Sequence, residues 1–150
     1  MTTPGTAGRL SPGSWATLSY AKRLQLIHRL TAPASMGAIE ALALPPGSRG
    51  LDAGCGAGMH VHQLTRATAP EGRVVGLDLA LPNLLAVSAS RDPTWPTGAA
   101  VRVNGDLHRL PFPDRGFDWV WCADTLWPHA VAGDPVGAVR ELTRVVRPGG

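Results

Sequence analysis

The residues best suited to chemistry are three acids, each ending or following a short apolar run, with a cluster of glycines beside the first. In Gly50-Leu51-Asp52-Ala53-Gly54-Cys55-Gly56-Ala57-Gly58, glycines stand at 54, 56 and 58, where an apolar run gives way to a helical pattern. Glycine permits φ > 0 and lets a ligand approach the backbone closely. The free N–H groups at the start of the next helix attract negatively charged or polar ligand groups. The dinucleotide pattern G-x-G-x-x-G would need its third glycine at position 59, which is Met59. Asp52, two residues before Gly54, would repel a pyrophosphate and suits a ligand carrying an amino group. Asp78 ends the run Val74-Val75-Gly76-Leu77, where a carboxylate can accept from ribose hydroxyls. Asp106 follows a third run in Asn104-Gly105-Asp106-Leu107. Acids at the carboxyl ends of successive parallel strands point into the crevice where open α/β sheets bind ligands.

Those positions require strands at 51–53, 74–77, 100–103 and 117–122, alternating with helices over 59–69, 82–91 and 135–146. Asp134 suits the N-cap of the last helix, with Pro135 in its first turn. Strands apolar enough to be covered on both faces imply a parallel sheet with right-handed crossovers. Upstream, residues 1–14 are rich in Gly, Pro, Ser and Thr and read as a flexible tail. Residues 15–46 form a helical cap. Tyr20, Leu24, Ile27 and Leu30 recur at helical spacing over 15–30, Pro33 interrupts, and a second short helix over 35–44 ends at Pro45-Pro46-Gly47. Residues 47–150 are the ligand-binding domain, with a loop at 95–98.

Composition narrows the class. A chain of 150 residues with 44% hydrophobic and 17% charged residues fits one globular domain. No apolar run approaches the ~18 residues of a membrane span, and the first residues lack a signal-peptide apolar region, so a soluble cytoplasmic protein is expected. Net charge is +3, and the 13 Arg are scattered with no run of five basic residues, which argues against a nucleic-acid partner. Arg140, Arg144 and Arg147 share a helix face near its C-terminus, where cations complement the dipole. Cys55 and Cys122 lie far apart without a CxxC pair, so neither a disulfide framework nor a metal site is expected.

LDAGCGAG, VVGLD, NGDLHRLPFPDRGFDWVWC and RELTRVVRPGG, in that order, resemble the motifs of class I S-adenosylmethionine-dependent methyltransferases. The nearest group is the ubiquinone/menaquinone type, and the match runs from about Gly50 to Gly150. The resemblance implies a Rossmann-like doubly wound sheet with S-adenosyl-L-methionine as cofactor and a small-molecule methyl acceptor as partner. Asp52 and the backbone of Gly54, Gly56 and Gly58 would surround the methionine part of the cofactor. Asp78, with Leu79 after it, would hold the ribose diol, and Asp106 would accept from the adenine amino group beside Leu107. Cys122, Ala123 and Asp124 would border the sulfonium and the acceptor, while Tyr20 and Arg23 are candidates to close over the cofactor. The family sheet has seven strands in the order 3-2-1-4-5-7-6. Only strands 3-2-1-4 are expected here, strands 5–7 being absent from the sequence. Strand four is then expected as an apolar edge carrying Trp119 and Trp121, prone to self-association.

His129, in the loop after the fourth strand, is the candidate general base for an oxygen or nitrogen acceptor, against the plainer reading of a loop histidine. His60 and His62 lie two apart, share no helix face, and are not read as ligands. Cys122 reads as strand packing rather than a nucleophile, and Trp119 and Trp121 as same-face residues under the helices. The expected reaction is methyl transfer by direct in-line displacement, which calls for neither a triad nor a metal. The alternatives are a non-catalytic binding module of the same fold and, more weakly, a nicotinamide-dependent oxidoreductase.

Overall fold

The computed structural model describes residues 18–88, 100–127 and 133–150. Strands β1 (Arg49–Ala53), β2 (Arg73–Asp78), β3 (Ala100–Asn104) and β4 (Trp119–Trp121) are all parallel and lie in the order β3-β2-β1-β4. The α/β class and the expected order 3-2-1-4 are therefore present. Helices α1 (Tyr20–Ala41), α2 (Met59–Ala67), α3 (Leu81–Ser88) and α4 (Pro135–Val145) cover the two faces.

Strand side chains alternate between those faces. Leu51, Ala53, Val75 and Leu77 pack with Leu107, Leu110, Phe117 and the α4 residues Ala138, Leu142 and Val145. On the other side Val74 and Trp119 meet Val61 and Leu64 of α2, Ile39 of α1 and Leu84 of α3. Asp134 caps α4 as expected, its carboxylate accepting from Gly137 N at 2.8 Å.

Several expectations are corrected. The two helices separated at Pro33 are one 22-residue helix, α1, capped by Ser19. Proline removes one i→i−4 donor, but Pro33 and the residue four before it, Arg29, are both exposed, so water can serve the orphaned carbonyl. β4 is shorter than 117–122. Phe117 pairs outward with Val146, through Phe117 N to Val145 O and Arg147 N to Phe117 O, both 3.0 Å. At the other end Thr125 Oγ1 donates to Ala123 O at 2.9 Å, within a loop that has left the ladder. Among the described residues β4 is an edge strand, as expected, but its tryptophans are not exposed: Trp119 is buried and Trp121 half-buried against the sheet face. The tail at 1–14, the start of the first helix at 15–17, the end of the helix at 89–91 and the loop at 95–98 lie outside the described residues. Among the described residues, no helix is long and apolar enough to cross a membrane.

Gly50 shows how tightly β1 and β4 are fitted. A Cβ there would run into the Trp119 ring, whose Nε1 donates to Ser48 Oγ at 2.8 Å. Glycine lets the indole lie over β1 and reach the hydroxyl at the strand's entrance. Gly50→Ala is expected to lower stability by ~1–3 kcal/mol through overpacking, read as a lower urea midpoint with an unchanged m-value.

Candidate functional site

The chain leaving β1 folds back across the end of β2. Gly54 N and Cys55 N both donate to Leu77 O, at 2.8 and 2.9 Å, and Gly56 N donates to Asp78 Oδ2 at 2.8 Å. Gly54, Gly56 and Gly58 have φ of 78°, 53° and 74°, the left-handed region in which a side chain would be strained. At Gly54 a Cβ would also collide with the Thr125 side chain. Gly58 is the N-cap of α2, with no side chain to bond the first amides.

Asp78 is held by more than Gly56. Its Oδ1 accepts from Ala80 N at 2.8 Å and Asn83 Nδ2 at 3.3 Å. With about four lone-pair sites on a carboxylate, one remains among the described residues, and the long Asn83 bond is the easiest to exchange. Asn104 ties β3 alongside by donating to Asp78 O and Leu79 O, both at 2.9 Å. Asp106, after β3, accepts on Oδ1 from His108 N and lies 2.9 Å from His108 Nδ1, while His108 Nε2 faces Asp134 O at 3.0 Å. Both ring nitrogens face acceptors, so the imidazolium is favoured. The His108 pKa is raised, chiefly by Asp106, and the same bonds hold Asp106 below the usual carboxylate range.

Asp52 is different. It is 1% exposed, beneath the glycine turn, with Oδ2 unpartnered among the described residues. Burial, then the like charge of Asp78, pushes its carboxyl up to about 8, against the Val61 amide that bonds it. Cys122 is half-buried and its thiol is pushed up to about 11 by burial, so it stays neutral.

These elements enclose a cleft of about 670 Å³ at the carboxyl ends of the strands. Of the residues expected at the site, Gly54, Gly56, Asp78, Leu79, Asp106 and Leu107 line it, as do Tyr20, Ala123 and Asp124. Asp52, Gly58, Cys122 and Arg23 are not on its wall, and His129 lies outside the described residues. Sequence reading missed His28, His60, His108, Asn83 and Thr125, all of which line the cleft. His108 alone carried a local signal, standing two residues after an acid in a turn. The others arrive from separate elements.

The cleft offers acceptors at its β2 and β3 side, close backbone at its floor and apolar walls from Leu24, Ile27 and Leu107. This arrangement can bind a ligand with a sugar diol, a donor-bearing ring and a cationic end.

A family model described as "Methyltransferase domain" matches residues 51–150. The chain is 38% identical over 113 residues to an uncharacterized 37.1 kDa protein in transposon TN4556 of Streptomyces fradiae, covering 75% of this chain and 31% of that protein. It is 35% identical over 104 residues to the demethylmenaquinone methyltransferase of Geobacillus kaustophilus, covering 69% of this chain and 43% of the relative. The chain thus spans less than half the length of these relatives. The structure of a SAM-dependent methyltransferase from Aquifex aeolicus superposes with a TM-score of 0.70 at 20% identity, over 87% of this chain and 69% of the other, a likeness of fold.

The buried acid makes stability depend on pH. The carboxyl of Asp52 titrates near the ordinary Asp value of 3.8 when unfolded and at about 8 when folded. Its contribution is therefore fully present below the unfolded value and is lost as pH rises toward the folded one. In ligand-free protein, Asp52→Asn is expected to remove this component, so the variant gains on the wild type as pH rises from 5 to 8. Urea melts across that range check it; parallel curves would show that Asp52 is ionised throughout.

Proposed function

The chain belongs to the methyltransferase-domain family, matched over residues 51–150. From that premise we propose that it transfers a methyl group from S-adenosylmethionine to a small-molecule acceptor by direct in-line displacement. The observation that carries this reading is the glycine turn stitched to Asp78, with Asp106 one strand further along the same cleft.

The residues present fit the cofactor. Asp78 and Leu79 would hold the ribose diol, the free Oδ2 site taking one hydroxyl and the Asn83 position the other. Asp106 and Leu107 would flank the adenine, whose amino group is a donor matched to the unengaged oxygen of Asp106. Gly54 and Gly56 leave the floor open for the methionine part, above the orphaned oxygen of Asp52. A cationic group brought near Asp52 would favour its ionised form. Ala123 and Asp124, on the cleft wall, would border the acceptor. When bound, the cofactor supplies a methyl group on a sulfonium, already a good leaving group. The chain's own part is orientation and exclusion of water, worth up to ~7–11 kcal/mol when the reacting groups are held in near-attack geometry. A reducing compartment, the cytoplasm, suits the two unpaired cysteines.

Isothermal titration with S-adenosylhomocysteine tests this reading. The wild type is expected to bind, and Asp78→Asn to bind about 10–100-fold more weakly, the loss of a hydrogen bond to a charged acceptor. No binding by folded wild type up to millimolar ligand, or binding of NADH in its place, contradicts it.

A further inference from the structure

Two imidazoles occupy the end of the cleft away from Asp106. His28 on α1 and His60 in the first turn of α2 both line it, edge to face with centroids 5.3 Å apart and planes at 77°. His60 also packs edge-on against Trp121 of β4, at 5.6 Å and 63°. In the order β3-β2-β1-β4, Trp121 belongs to one edge strand and Asp106 follows the other. The pair therefore sits at the β4 side, opposite the acids assigned to the nucleoside. Asp124, also on the cleft wall, adopts φ 54°, left-handed in a residue with a side chain. Tyr20, Ile27 and Trp127 add exposed apolar surface to the cleft wall.

Among the described residues, the charged and titratable groups facing His60 are His28 from α1 and Asp124 from the loop after β4. Burial lowers both imidazole pKa values, and for His60 the neighbouring His28 adds to the effect while Asp124 opposes it. A neutral ring has one nitrogen free to accept a proton. Asp124 then compensates the charge that forms.

We propose that His60, positioned by His28 and Trp121, accepts the proton that an apolar, hydroxyl-bearing acceptor must lose as it is methylated. This rests on the methyl-transfer reading of the same cleft. The hydroxyl proton passes to the free nitrogen of His60, and the electron pair left on oxygen forms the bond to the methyl carbon. The sulfur–methyl bond breaks with its pair remaining on sulfur. One positive charge leaves the sulfonium and one appears on the imidazole, so the charges balance.

4-Nitrophenol is a suitable probe, because its phenolate absorbs visible light. It is titrated into wild type, His60→Gln and His28→Gln with S-adenosylhomocysteine present. Bound to wild type it is expected to be about tenfold more ionised than free dye at the same pH, as a charge-assisted hydrogen bond allows. His60→Gln should abolish the excess and His28→Gln reduce it, both keeping wild-type affinity for S-adenosylhomocysteine. In unmutated protein the His60 ring resonances should move toward imidazolium as the dye binds, a readout that needs no variant. A wild-type spectrum equal to free dye, full ionisation in His60→Gln, or lost S-adenosylhomocysteine affinity in that variant overturns the assignment. Failure of the wild type to bind S-adenosylhomocysteine overturns the methyl-transfer reading instead, while the dye titration without that ligand still reports on the imidazoles.

Discussion

The amide of Gly56 donating to the carboxylate of Asp78 at 2.8 Å ties the turn after β1 to the end of β2, and the cleft follows from that tie. It works with the paired donation of Gly54 N and Cys55 N to Leu77 O. To reach these acceptors the chain must pass through left-handed φ at 54 and 56, so glycine is needed at both. Bare backbone at Gly54 then admits Thr125, whose Oγ1 lies 3.3 Å from Gly54 O and links the loop after β4 to the same turn. Three strand ends are thus joined around one short segment. Asn104 adds the fourth from β3.

Electrostatics divides the cleft. On the β2 and β3 side, Asp78 and Asp106 are carboxylates held by amide donors and by His108. Beneath the floor Asp52 is held uncharged up to about pH 8 by burial and the like charge of Asp78. A buried acceptor without a partner is costly, and a cationic ligand would relieve that cost. On the β4 side two imidazoles on the wall have their pKa values lowered by burial, with the carboxyl of Asp124 on the same wall. One end thus favours cationic or donor-rich groups, and the other can take up a proton.

Much of this was legible in the residues. Asp52 lies within a β-type run, Asp78 ends one and Asp106 follows one, and they sit beside glycines or an Asx-type turn, signals that are local in sequence. The strand order came from the resemblance, and the β3-β2-β1-β4 ladder reproduces it. What local patterns could not show were contacts made by distant residues on separate elements. His60 shares no helix face with His62, and its partners are His28 and Trp121, 32 and 61 positions away. Pro33 reads as a break because proline removes a donor. On the solvent side of α1 that loss falls on an exposed turn, and Ile39 further along the helix is anchored in the core. Nor does a glycine inside a strand announce that it accommodates Trp119 of another strand.

The central claim is that the glycine turn, Asp78 and Asp106 form one cofactor site. Amide chemical-shift mapping of labelled protein with S-adenosylhomocysteine tests it most directly. The account predicts saturable shifts at the amides of 54–58, 79–80 and 106–108, with the outer face of α4 unmoved. Shifts centred on α4, or none in folded protein at millimolar ligand, would contradict it.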